Sequence, residues 1–199
     1  PHFDENPVDD DPLNIIKENG KIYLFFGKAD GWETTVSLSN ADVSFLGDDR
    51  NDQASHDVYG VGDVNGDGID DFAIGVKFIN QTGLRAGKVY IFFGKASGWP
   101  VLTHLSSADA SFVGESESSE AAHVYPAGNI NGDEYDDIII GAGFYDEPAT
   151  DAGKCYVVLG KPTDLWAKDV SLADADASYI GEQEGDWAAH RVAGVGDVN

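Results

Sequence analysis

The chain has no methionine and only one cysteine, Cys155, among its 199 residues. A single cysteine excludes an internal disulfide framework, so packing and hydrogen bonds must hold the fold. A chain that opens Pro1-His2-Phe3 and lacks methionine is expected to be a processed or truncated piece of a longer product. Basic residues are scarce: 12 Lys and Arg stand against 36 Asp and Glu, a formal net charge of −24. Such a surface repels nucleic acid and anionic membranes, and it draws cations. Apolar runs are short, none approaching the roughly 18 to 20 residues that cross a bilayer, so no membrane insertion is expected in this segment. A nucleophile elbow, a phosphate-cradling glycine loop and zinc-type ligand spacing are also missing. These absences argue against an enzyme.

Repetition is what the chain has in abundance. Gly20-Lys21-Ile22-Tyr23-Leu24-Phe25-Phe26-Gly27-Lys28 returns as Gly87-Lys88-Val89-Tyr90-Ile91-Phe92-Phe93-Gly94-Lys95 and again as Gly153-Lys154-Cys155-Tyr156-Val157-Val158-Leu159-Gly160-Lys161. Trp32, Trp99 and Trp166 follow in step, then Leu38, Leu105 and Leu172, then the pairs Ala41-Asp42, Ala108-Asp109 and Ala175-Asp176. The period is about 67 residues, long enough for one supersecondary unit that needs neighbours to bury its faces.

Within a repeat the apolar runs are short, β-branched or aromatic, and punctuated by glycine, which is a strand pattern. Strands are expected at 56–62, 70–76, 87–94 and 110–114, then at 123–128, 136–142, 153–160 and 177–181. Four short strands per repeat predict an all-β fold, a β-propeller of four-stranded blades. Residues 1–199 then form part of one propeller domain: 1–54 a partial blade, 55–120 and 121–187 complete blades, and 188–199 the start of the next. Two complete and two partial blades cannot close a ring of four to eight. The rest of the propeller is expected from a longer chain or from other copies.

The most specific chemistry lies between the first two strands of each blade. Asp63-Val64-Asn65-Gly66-Asp67-Gly68-Ile69-Asp70-Asp71 sets oxygen side chains at loop positions one, three, five and nine, with the Ile69 carbonyl at position seven. Calcium takes six to eight oxygen ligands, and alternate positions of a tight loop aim such groups at one point. The candidate ligands are Asp63, Asn65, Asp67, Ile69 and Asp71. The second copy offers Asn129, Asn131, Asp133, Tyr135 (through its carbonyl) and Asp137. It carries fewer carboxylates, so weaker binding is expected there. Asp197 and Asn199 open a third loop. The competing reading is a plain Asx-Gly turn.

His56, His123 and His190 recur in phase before each innermost strand. Equivalent residues on adjacent blades are expected to lie too far apart to share an ion easily, leaving hydrogen bonding between blades as their role. The phased tryptophans read as plugs at the blade rim rather than sugar platforms, with Trp187 outside the pattern. Cys155 stands where Ile22 and Val89 stand, so a buried, inert residue is expected. The acidic stretch Asp4–Pro12 reads as a solvated loop.

These residues resemble the FG-GAP repeats of integrin alpha-subunit propellers and their bacterial relatives. Phe26-Gly27 and Phe93-Gly94 match the Phe-Gly element, from which Leu159-Gly160 departs. Gly75-Val76-Lys77 and Gly141-Ala142-Gly143 follow the Gly-Ala-Pro element loosely, and Pro1 fits the end of a preceding copy. The spacer Gly94–Trp99 is closer to bacterial members. The resemblance implies about seven blades, calcium in the loops, and an extracellular or periplasmic role in binding. The leading expectation is a non-catalytic recognition or adhesion module outside the cell, at its surface or in the periplasm. Its partner is expected to be a protein or a cell-surface glycan. The alternative is an accessory or scaffold propeller of a larger secreted enzyme or complex.

Overall fold

The computed structural model describes residues 20–48, 54 and 57–195. The acidic stretch 4–12, His56 and the opening of the third loop lie outside the described residues.

The strands fall into three sheets. The first contains β1 (Lys21–Leu24) and β2 (Val43–Leu46). The second contains β3 (Asp57–Gly62), β4 (Asp71–Val76) and β5 (Lys88–Phe92). A short strand, β6 (Leu102–His104), returns to the first sheet, and β7 (Ala110–Val113) completes the second. The third sheet is β8 (His123–Gly128), β9 (Asp137–Ala142), β10 (Lys154–Val158) and β12 (Ala177–Ile180), while the two-residue β11 (Val170–Ser171) returns to the edge of the second. The sequence-based strands match these within two residues at either end. Inside each full sheet the order is antiparallel and sequential, with a shift of register at Gly60/Gly62 and again at Pro126/Gly128. The fold is an all-β fragment of a β-propeller.

β6 and β11 escaped the sequence pattern. Each pairs in parallel with the outermost strand of the preceding sheet, β6 with β2 and β11 with β7. A three- or two-residue strand has no periodicity to read, and its partner lies in another repeat.

Apart from its innermost strand β3, where Val58 and Tyr59 are exposed, the middle sheet is buried on both faces. Ile74, Val76, Tyr90 and Phe92 meet Ile22, Val43 and Phe45 of the first sheet. Ala73, Val89, Ile91, Phe93 and Phe112 meet Val124, Ile138, Ile140, Tyr156 and Trp166 from the third. Each fully buried aliphatic or aromatic side chain contributes about 1.5–3 kcal/mol, so the cores between blades are the main cohesive element. The outer sheets lack a second neighbour among the described residues. Every residue of β12 is exposed, with Tyr179 at 67% and Ile180 at 47%. All of its counterpart β7 is buried.

Candidate metal centres

The first loop is organised by its own carboxylates. Asp63 Oδ1 accepts the amides of Gly66 and Asp67 at 2.8 and 3.1 Å, and its Oδ2 accepts that of Gly68 at 2.7 Å. Asn65 Oδ1 accepts the Asp67 amide at 2.8 Å, and Asp67 Oδ1 accepts that of Ile69 at 2.9 Å. Gly66 has φ +77°, the left-handed conformation the turn needs. The second loop follows suit: Asn129 Oδ1 accepts Gly132 N–H at 2.8 Å, Asn131 Oδ1 accepts Asp133 N–H at 3.0 Å, and Asp133 Oδ1 accepts Tyr135 N–H at 2.7 Å.

Position nine differs from the rest. Asp71 is 1% exposed, and its two oxygens accept the amides of Val64 at 3.0 Å and Gly94 at 2.8 Å. Asp137 repeats this with Ile130 at 2.7 Å and Gly160 at 2.8 Å. The ninth residue thus ties the loop to the end of the third strand. Burial pushes the Asp71 carboxyl up to about 6; the amides of Gly94 and Val64 oppose this, while Asp67 and Asp63 add to it. A buried acid beside two others is an environment that a cation would relieve.

Among the described residues no three His, Cys, Asp or Glu side chains converge as a metal cluster. The carboxylate oxygens of the loops are turned instead to the loop amides. The donor set still fits a hard cation: carboxylates, amide oxygens and a peptide carbonyl, each oxygen with further lone-pair capacity, on a turn already held in shape.

The histidines depart from expectation. His123 Nδ1 lies 2.7 Å from Asp57 Oδ2 on the neighbouring sheet, so the hydrogen bond between blades is present. The distance between equivalent histidines is smaller than expected: the His123 and His190 rings are 5.0 Å apart. Innermost strands run close together, as the 5.1 Å between the Tyr59 and Tyr125 rings also records. Burial, then the proximity of His123 and Lys77, holds His190 below the ordinary imidazole range.

Two of the phased tryptophans are plugs. Trp99 packs edge-on against Phe45 at 5.8 Å, and Trp166 against Phe93 and Phe112 at 5.9 and 6.0 Å. Trp32 has no such socket among the described residues and is 62% exposed, while Trp187 is 52% exposed. Cys155 is half-buried rather than buried, because it lies in the outer sheet, and burial raises its thiol pKa. Sequence reasoning missed three features: Asp57, Asp136 and the ion pairs that stitch consecutive repeats together, Lys88–Asp169 and Lys154–Glu115. Asp136 had a signal, an aspartate at position eight in both loops, and so did the lysines, which recur in phase at 88 and 154, but their acidic partners did not.

Sheets packed face to face around a repeated, oxygen-rich hairpin define a propeller of the loop-bearing kind. The FG-GAP repeat family model matches residues 60–92 and 126–158, each match running from the innermost strand through the loop to the third strand. The chain carries FG-GAP repeats. It is similar to integrin alpha pat-2 of Caenorhabditis elegans, with 28% identity over 162 residues, which is 72% of this chain and 12% of that protein. No helix among the described residues is long and apolar enough to cross a membrane.

Proposed function

We propose that the chain is a calcium-binding, non-catalytic recognition or adhesion module that works outside the cell or in the periplasm and binds a protein or a cell-surface glycan. One observation carries this reading: oxygen donors stand at positions one, three, five, seven and nine of a loop at the same place in two consecutive FG-GAP repeats. Asp63, Asn65, Asp67, the Ile69 carbonyl and Asp71 would hold the first ion. Asn129, Asn131, Asp133, the Tyr135 carbonyl and Asp137 would hold the second, more weakly. Calcium there neutralises clustered carboxylates and stiffens the hairpin between the first two strands. The likeness to an integrin alpha chain supports the adhesive role. The exposed β12 edge and the socketless Trp32 support a further proposal, that more repeats of the same kind pack there, from a longer chain or other copies.

Thermal denaturation tests the metal reading. Calcium at about a hundredfold excess over its dissociation constant stabilises by about 2.7 kcal/mol per site, or about 5–10 °C for a domain of this size. The shift should fall by more than half in Asp63→Asn/Asp67→Asn, and magnesium at equal concentration should produce less of it. Equal shifts with sodium at matched ionic strength would mean simple screening. Turnover of polysaccharide or ester substrates by the calcium-loaded chain would overturn the non-catalytic reading.

A further inference from the structure

The two loops are not independent hairpins. Asp136, at position eight of the second loop, brackets the first residue of the first loop: its Oδ2 accepts Asp63 N–H at 3.0 Å, and its own N–H donates to the Asp63 carbonyl at 3.0 Å. Beside this bracket, Lys161 N–H donates to the Val64 carbonyl at 3.0 Å. The Tyr135 ring lies against Gly66, where any Cβ would meet it. Gly62 belongs to the same arrangement, since it has φ +79° and a Cβ there would run into the Asp136 carboxylate. The consequence is visible at position two: Val64 of the first loop is fully buried, while Ile130 of the second is 54% exposed. At position three, Asn65 is 4% exposed and Asn131 lies open to solvent.

We propose that Asp136 couples the two metal loops, so that an ion held by the second loop tightens the first loop's hold on its own. The inference rests on the calcium reading above. Tyr135 and Asp137, on either side of Asp136, are the ligands of the second loop at positions seven and nine. An ion there fixes the backbone that carries the Asp136 carboxylate. That carboxylate holds the amide of Asp63, whose own carboxylate orients three amides of the first loop. Filling the second loop therefore prepays part of the ordering cost of the first, which is positive coupling. By linkage the first loop tightens the second by the same factor. The second loop has the weaker ligand set, so the coupling raises the occupancy of the site that needs it most. Asp136 acts here as a positioning residue, through an amide rather than on the ion.

Amide NMR of the full chain during calcium titration resolves the two sites, with Gly66 and Gly132 as reporters. In Asp136→Ala the midpoint at Gly66 should move to about five- to twentyfold higher calcium, within the usual range of coupling between sites, and Gly132 should move by a similar factor. Asp136→Asn keeps an oxygen that can accept the Asp63 amide and should retain most of the wild-type midpoint, which also guards against misfolding of the alanine variant. Asp133→Ala, which removes a ligand of the second loop only, should weaken Gly66 in the wild-type background and add nothing in Asp136→Ala. Midpoints that shift independently, with both loops still binding, overturn the coupling and leave the calcium reading intact. A wild-type chain whose glycines ignore calcium overturns both.

Discussion

Asp71 has two duties that the spacing of the loop presents as one. As the ninth residue it belongs to the oxygen set offered to a cation, yet both its oxygens already accept buried amides, from Val64 and Gly94. Losing that carboxylate strands two N–H groups, each costing about 1–3 kcal/mol. In excess chelator, Asp71→Ala should therefore destabilise the chain by about 2–4 kcal/mol, read as a shift in the urea midpoint. Asp67→Ala should cost less under the same conditions, about 1 kcal/mol, because the exposed Ile69 amide can turn to water and only the buried Asn65 side-chain amide loses its partner. Equal losses would mean that Asp71 has no structural share. The same device recurs at Asp42, Asp109 and Asp176, which accept the amides of Phe26, Phe93 and Leu159 at 2.8–2.9 Å. The recurrence of Ala-Asp was legible in the sequence, but its purpose was not. Pattern within a repeat reveals which residues return, while the strand-end amide that each carboxylate meets lies 16 to 23 residues away along the chain.

The strands of the second and third sheets were legible because alternating β-branched and aromatic runs between glycines have only one economical use. The links between sheets were hidden, since they depend on how consecutive repeats face each other. Trp166 illustrates the difference: its phase marked a plug, but only the packed structure supplies the socket of Phe93 and Phe112 from the preceding repeat. Trp166→Ala should cost about 3–5 kcal/mol, as for large aromatic truncations in cores. Trp32→Ala should cost under about 0.5 kcal/mol, because that side chain is 62% exposed. The same urea measurement compares them. Ion pairs between elements add a pH dependence. The hydrogen bond from Lys88 holds the Asp169 carboxyl below the ordinary carboxylate range. A depressed folded-state value gives stability that is complete above the unfolded value near 3.9. That stability is lost as the pH falls through the folded one. Asp169→Asn should therefore lower stability modestly at pH 6, with the gap from wild type closing below about pH 3.5. The comparison must be made between variants, because protonation of the other carboxylates relieves repulsion in both chains alike. A gap that stays constant from pH 6 to pH 3 would count against this pair.

At the scale of the whole molecule two features oppose each other. The middle sheet is covered on both faces apart from its innermost strand, whereas the outer sheets present complementary open edges. The segment 32–38 carries the exposed Trp32, Val36 and Leu38 at the place where β6 and β11 of later repeats pair with a preceding sheet. β12 is the outermost strand that such a segment would join, and Tyr179 stands where Phe45 and Phe112 receive their tryptophans. Apolar donor and apolar acceptor thus favour head-to-tail contact between copies when no further repeat covers them. The formal charge of −24 works against that contact over distances set by ionic strength. At about 0.01 M salt the Debye length is near 30 Å, comparable with the molecule, and repulsion should keep the 199-residue chain monomeric. At about 0.5 M salt repulsion is confined to a few ångströms, and the apolar edges should then pair. Light scattering at both ionic strengths should record a rise in mass with salt. Val36→Lys or Tyr179→Lys should abolish it, since each sets a charge on one side of the joint. A wild-type chain that stays monomeric at high salt would remove pairing between copies and leave the edges to repeats carried on the same polypeptide.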